Sequence, residues 1–441
     1  MSKRTLSIPH LGRVEGHGGI YVRIEDDEVR EVNLEVYEGS RYYEALLRGK
    51  HVDDVQGIIT RVCAICSASH TVAALMGLED ALGITVSART HTLRGLLLLG
   101  STIESHALHI FALALPDFFH VPSVLELAAS HPREVTFGLK LKQLGNRIQG
   151  GIGGRAIHPV NPRIGGFGRE PDLGELRAIR EELEKTLEPL AGAVELIASL
   201  PIPAWAERPA LFLALRPYEE AFRFRGVAIV TSDGQEFAID RYRDVVREFE
   251  LPHSHAKHST LAGSGSYMTG SLARLKLFGH YLTGRAAATR DRLFPDGVPD
   301  NVLWNTRAQL VELVHCAEHG IELIDELLAS PREPESDAPH PIRAGRGVAA
   351  IEVPRGVLFH EYVINEEGRV IEANVITPTA QNLANVEGDL RSAAQSLLRS
   401  PIDDVALKDD LEMVARAYDP CISCSVHVTR VPHPAAAAGT G

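Results

Sequence analysis

Arg61-Val62-Cys63-Ala64-Ile65-Cys66-Ser67-Ala68-Ser69-His70 and Asp419-Pro420-Cys421-Ile422-Ser423-Cys424-Ser425-Val426-His427 carry four of the chain's five cysteines. Each stretch holds a C-x-x-C, a spacing that lets the backbone curl and present both sulfurs to one metal ion. A single pair of this kind is as readily a redox dithiol or half of a zinc ribbon. Two pairs supply a full tetrahedral set of thiolates. A zinc ribbon keeps its pairs about 15–20 residues apart, whereas these lie near opposite ends of the chain. A shared site would therefore join the beginning and the end of the fold inside a large domain. Soft thiolates suit zinc, copper(I), iron–sulfur clusters and nickel, so the sulfurs alone do not choose the metal. The fifth cysteine, Cys316, stands beside His315 on a helical pattern and reads as a small buried residue.

The rest of the sequence is that of a globular chain. Its 441 residues are 44% hydrophobic and 23% charged, which excludes a disordered, collagenous or repeat-dominated protein. There are 45 basic and 58 acidic side chains, a net charge of −13, and no basic stretch. Nucleic acid is thus not an expected partner, because phosphate contacts need clustered Lys and Arg. Apolar runs such as Leu96 to Leu99 are broken by polar groups short of the ~20 residues that span a bilayer, so no membrane insertion is expected. The amino terminus shows no apolar core of a secretory signal. An odd, small number of cysteines suits a reducing compartment, and a cytoplasmic location is expected.

Period-two alternation at Ile20, Val22, Ile24 and at Val32, Leu34, Val36, around an acidic turn at residues 25–28, predicts a β-hairpin. Helical spacing follows over 71–83, 90–115, 134–149, 172–200, 271–292 and 302–328. Pro116 and the glycine-rich residues 150–154 are expected to break it. Short strands with a turn at Ser232-Asp233-Gly234 are expected within 224–237. Residues 330–341, rich in Pro, Glu, Ser and Asp, are the best linker candidate. Alternation returns over 347–375 with a turn at 365–368, and helices are expected near 382–398 and 403–418. The fold class is mainly α (α+β), a large helical-bundle core with small β-elements.

The flanks of the cysteines narrow the choice of metal. Together they resemble the patterns R-x-C-G-x-C-x-x-x-H and D-P-C-x-x-C-x-x-H of the large, catalytic subunit of nickel–iron hydrogenases. Further ordered matches are Arg13-Val14-Glu15-Gly16-His17, residues 41–49, Gly153-Gly154-Arg155-Ala156-Ile157-His158-Pro159, His255-Ala256-Lys257, Glu352-Val353-Pro354-Arg355-Gly356 and Thr377-Pro378-Thr379-Ala380-Gln381-Asn382. One departure is Ala64, where the family usually has Gly; it adds a methyl and removes no ligand. The resemblance implies the nickel–iron hydrogenase large-subunit fold over residues 1–427, with 428–441 as a C-terminal extension that a maturation protease removes after His427.

By this resemblance, Cys63 and Cys421 are terminal nickel ligands, while Cys66 and Cys424 bridge nickel to an iron carrying one carbonyl and two cyanides. Glu15 matches the proton-relay carboxylate. Arg355 matches the arginine over the open metal position, and Asp117 and Asp419 match carboxylates that orient it. His70 matches a histidine donating to a bridging sulfur, and Thr379 a hydroxyl near a cyanide. Glu44, the Val375 carbonyl and His427 correspond to a magnesium-type site. The implied activity is reversible, heterolytic cleavage of dihydrogen. Electrons would pass to an iron–sulfur small subunit, then through a diaphorase or other electron-transfer subunit to NAD(P), a deazaflavin or a heterodisulfide reductase.

Two other readings explain less. A repurposed homologue of the quinone-reductase type would have lost cysteines, and all four are present. A tetrathiolate zinc protein gives no role to Glu15 or Arg355. His253, His255 and His258 are spaced like metal ligands, but the matching family segment is structural, and no ligation is expected there. The glycines at 150–154 follow no clear strand and make no dinucleotide fingerprint.

Overall fold

The structure is a computed structural model and describes residues 3–332 and 340–426. Most of the expected linker, at 333–339, lies outside the described residues, as do His427 and the extension at 428–441.

Four long helices, Ala88–Leu108, Pro132–Gly153, Leu173–Ser199 and Asn305–Ala329, pack side by side as the bundle. Their apolar residues meet in one continuous core. The first of them continues as far as Phe118, which makes it long and apolar enough to cross a membrane, yet 83% of its most apolar window is buried within the protein. It is a core helix of the bundle.

Pro116 does not end this helix. The chain widens into a π-helical segment, His109–Ala114, and resumes at Leu115–Phe118 with Pro116 in the first turn. A missing N–H costs nothing at that position, so the proline is accommodated. The next helix, by contrast, ends within the glycine-rich residues 150–154 as expected: it runs through Gly153 and is capped by Gly154 in the left-handed region at φ +77. Glycine serves close packing here. A Cβ on Gly145 would lie 2.6 Å from the backbone nitrogen of Glu104 and 2.6 Å from the Gly100 carbonyl, so its absence lets two helices of the bundle approach backbone to backbone.

Five small sheets lie around the bundle among the described residues. The expected N-terminal hairpin is present as Gly18–Glu25 and Glu28–Val36, and Lys3–Ile8 adds a third antiparallel strand. Strands Gly226–Thr231 and Glu236–Ala238 flank the expected turn at 232–234. The strand Leu211–Pro217 and the pair Val246–Leu251 and Ser254–Leu261 had no clear signal in the sequence.

A further antiparallel sheet, Gly345–Val353, Gly356–Ile364 and Val370–Ile376, has a two-residue turn in which Val353 pairs with Gly356. Pro354 and Arg355 form that turn. The helix Ser67–Leu82 is covered on nearly every side, lying between this sheet and the bundle. A helix apolar all round is a helix meant for burial. It begins immediately after Cys66 and so fixes the first cysteine pair against the core.

Candidate metal centre

The two cysteine pairs meet. The Sγ atoms of Cys63, Cys66, Cys421 and Cys424 all lie within 4.8 Å of one another, and all four residues are buried. Cys63 Sγ is 3.3 Å from Cys421 Sγ, and Cys421 Sγ is 2.7 Å from Cys424 Sγ. Four converging, buried sulfurs are a donor set for a soft or borderline metal. Ala64, the departure from the family pattern, is exposed, so its methyl takes no space from the chamber.

The first pair is set by local structure: Cys66 caps the Ser67–Leu82 helix, and its N–H lies 3.4 Å from Cys63 Sγ. The second pair, with Cys421 just before the short helix Ile422–Ser425 and Cys424 within it, is held by other segments. Glu15 and Cys421 form a parallel bridge, in which the Ile422 N–H donates to the Glu15 carbonyl at 2.9 Å. Gly16, at φ +88, lies so close that a Cβ there would sit 2.8 Å from Ile422 Cβ and 2.9 Å from the Ser423 nitrogen. The Cys421 N–H donates to Thr379 Oγ1 at 3.1 Å.

Glu15 reaches from this bridge to the sulfurs. Its Oε2 is 3.1 Å from Cys421 Sγ and accepts the Ser423 N–H at 3.1 Å, while the Ser423 hydroxyl donates to Oε1. Glu15 is partly exposed, so it stands between the buried sulfurs and the outside. Ser423 carries no sequence signal, because it fills an unconstrained position of C-x-x-C.

On the other side, Arg355 Nη1 points at Cys66 Sγ from 3.3 Å. Its Nη2 donates to Asp419 Oδ1 at 2.9 Å and its Nε to the Asp419 carbonyl at 2.5 Å. Burial opposes the guanidinium charge, but Asp419 and the cysteine sulfurs outweigh it and hold the group firmly protonated. The hairpin carrying Arg355 is clamped from behind. Buried Arg274 donates to Glu352, at 2.8 Å, and to the carbonyls of Val353 and Pro354, and also pairs with buried Glu312. Arg274 and Glu312 belong to none of the recognised motifs.

The pairing of Asp117 with Arg355 does not form. Asp117 Oδ1 takes Arg13 and Arg416, and its Oδ2 accepts from Arg416 Nε at 2.9 Å. These guanidinium groups fill the carboxylate, and Asp419 alone of the two expected carboxylates orients Arg355. An indirect link remains: the Arg416 carbonyl lies 2.8 Å from His109, His109 faces Gln309 at 2.5 Å, and Gln309 donates to Asp419 at 3.3 Å.

His70 is buried, with Nδ1 3.1 Å from His360 Nε2, and His360 Nδ1 is 2.8 Å from the Tyr362 hydroxyl. Glu44 is fully buried, and its charge, together with burial, raises the Tyr362 phenol well above its ordinary range. Val375 is buried on the strand opposite His360. The third expected member of the magnesium-type site, His427, lies outside the described residues. Cys316 is fully buried, and burial pushes its thiol well up, as suits a packing residue.

Comparison with known proteins gives one answer. The chain matches the nickel-dependent hydrogenase family over residues 41–185 and 302–427. It is 40% identical to sulfhydrogenase 1 subunit alpha of Pyrococcus furiosus over 431 residues, 97% of this chain and 98% of that one. Identity is 25% to the beta subunit of the NAD-reducing hydrogenase of Cupriavidus necator, covering 96% of this chain and 95% of that one. A crystal structure of an NAD+-reducing [NiFe]-hydrogenase in the H2-reduced state superposes with a TM-score of 0.88 at 28% identity, over 96% of this chain and 99% of that one. The [NiFeSe]-hydrogenase of Dm. baculatum shares the fold, with a TM-score of 0.79 at 19% identity, covering 97% of this chain and 100% of that one. With four sulfurs gathered in one chamber and two-fifths identity along nearly its whole length, the chain belongs to the nickel-dependent hydrogenase family, as a catalytic subunit.

Proposed function

We propose that the chain cleaves dihydrogen heterolytically and reversibly at the four-cysteine chamber, where Cys63, Cys66, Cys421 and Cys424 would together hold a nickel–iron centre. The observation that carries this reading is the opposed placement of Arg355 and Glu15, one on Cys66 Sγ and the other on Cys421 Sγ. A nickel–iron centre with one carbonyl and two cyanides on iron supplies the open position at which dihydrogen is polarised.

Around that position the chain's own groups divide the work. The Arg355 guanidinium, fixed by Asp419, offsets thiolate charge and favours charge separation in the substrate. Cys421 Sγ receives the proton, and Glu15 Oε2, 3.1 Å away, takes it toward the partly exposed side. Ser423 fixes the carboxylate for this transfer through both its N–H and its hydroxyl. Thr379 accepts the Cys421 N–H and so has its hydroxyl proton to offer a cyanide. His70, engaged at Nδ1 by His360, donates from Nε2 to a bridging sulfur.

The same proposal covers the wider assembly. Electrons leave through an iron–sulfur small subunit, because the chain has no further cysteine set for a cluster. Among soluble acceptors, NAD(P) is favoured over a deazaflavin or a heterodisulfide reductase by the NAD-reducing relatives. Glu44 and the Val375 carbonyl, with His427, hold magnesium, for which a fully buried carboxylate is a fitting ligand. A protease trims residues 428–441, and the protein works in the cytoplasm.

Infrared spectroscopy of the natively matured protein, with nickel and iron quantified on the same sample, is the direct test. One carbonyl and two cyanide bands with nickel present are expected; zinc without such bands would overturn the reading. Glu15→Gln should keep these bands and lower proton–deuterium exchange about 10²–10⁴-fold, the usual weight of a positioned acid or base.

A further inference from the structure

A second cluster of donor atoms lies among residues that the hydrogen chemistry does not use. His258 lies on the second strand of the antiparallel pair Val246–Leu251 and Ser254–Leu261, and His253 in the tight turn that joins them. The turn and the strand together bring both imidazoles to Glu387 of the helix Pro378–Leu397.

His253 Nε2 is 2.8 Å from Glu387 Oε1, His258 Nε2 is 3.6 Å from the same oxygen, and the three donor atoms lie within 4.8 Å of one another. The rings stand nearly perpendicular, at 80°. Neighbouring ligand atoms of a tetrahedral zinc site are about 3.4 Å apart, so small side-chain rotations would bring all three onto one ion.

His258 is an independent pointer to a missing ligand. Its side chain is fully buried, yet neither ring nitrogen has a hydrogen-bond partner. A buried imidazole whose nearest partner is a carboxylate oxygen 3.6 Å away is under-satisfied, and a cation on Nε2 would satisfy that nitrogen. Burial opposes ionisation of Glu387, but His258 and the Leu34 N–H outweigh it and hold the carboxyl below its ordinary range. His253 and Glu387 are only partly buried, leaving a route in for the ion and a position for water.

We propose that His253, His258 and Glu387 form a second metal site that takes one divalent cation of zinc-like character. Two imidazoles and one carboxylate are a borderline donor set, better suited to zinc than to magnesium or calcium, which prefer oxygen alone. Bound there, the ion ties the hairpin to the helix whose first turn carries Thr379, and so supports the floor under Cys421 from a distance. The proposal does not depend on the assignment of hydrogenase residues, since none of the three ligands belongs to that set.

The test uses the nickel-loaded enzyme, in which the four cysteines are already occupied, and zinc chloride as the probe. One zinc per chain is expected, with binding weakened at least about tenfold in His253→Ala and in Glu387→Gln. Zinc should raise the thermal midpoint of the parent and not of these variants. Zinc absent from the parent, or retained equally by His253→Ala, would overturn the proposal. Cobalt(II) bound to the unaltered protein gives a reading that needs no variant. Visible ligand-field bands without sulfur-to-metal charge transfer support the site, and charge-transfer bands or no bands refute it.

Discussion

Cys63 and Cys66 lead directly into a long helix of their own, whereas Cys421 and Cys424 sit at four residues of helix that other segments hold in place. The spacing is the same and the support is opposite. The first pair is fixed as soon as Ser67–Leu82 packs between sheet and bundle. The second acquires its position from Glu15, Gly16 and Thr379, which come from far along the chain. Electrostatics follow the same division. Hydrogen bonds from Cys421, Cys424 and Cys66 pull the Cys63 thiol well below its ordinary range, while burial pushes Cys421 and Cys424 well up. Ionisation is thus favoured at Cys63 over Cys421 and Cys424.

The largest expected effect is shared by both pairs. Cys63→Ser and Cys421→Ser should each lower hydrogen turnover more than about a thousandfold, since a lost thiolate removes a ligand rather than a neighbour. Nickel analysis would show whether the metal is lost from both variants or only from the docked side. Arg355→Lys comes next. It should retain both metals and lower turnover about 10²–10³-fold, because an ammonium cannot reproduce the fork that engages Asp419 and Cys66 together. Unchanged turnover would remove Arg355 from the mechanism.

Gly16→Ala tests the docking itself. Collision with Ile422 and Ser423, added to the strain of a side chain at φ +88, should cost about 3 kcal/mol. Lower nickel occupancy than in the parent is expected with it; full occupancy would show that the second pair does not rely on this contact.

The smallest effect lies in the bundle, away from either pair's support. Burial, with help from the charges of His319 and Arg223, pushes His315 down to about 3. A folded-state value below the unfolded one means that the unfolded chain takes up the proton first as pH falls. Stability should thus drop from about pH 6.5 downward, by about 2 kcal/mol at pH 5. His315→Leu should lose less of its thermal midpoint between pH 7 and pH 5 than the parent does.

What the sequence displayed follows the same contrast. Residues with a fixed offset from a cysteine, or inside a short motif, were legible: Glu15, Arg355, Asp419 and Thr379 all reach the chamber. Asp117 was misjudged because sequence shows a charge without showing which of several guanidinium groups lies closest. Arg274 was invisible for the same reason, although it clamps the hairpin that aims Arg355. Helices were mostly legible from their period. Pro116 misled because tertiary packing outweighed local preference, the chain taking it up after a π-helical turn. Strand Leu211–Pro217 and the bulged pair that follows it were missed because their alternation is short and interrupted.

The bridge between Glu15 and Cys421 also sets a timetable. Cys63 and Cys421 are 358 residues apart. At the roughly 5–20 residues per second of synthesis, the first pair leaves the ribosome on the order of 20–70 s before the second. Throughout that interval the nascent chain carries one half of a metal pocket with no lid, and its completion waits on cysteines made 358 residues later.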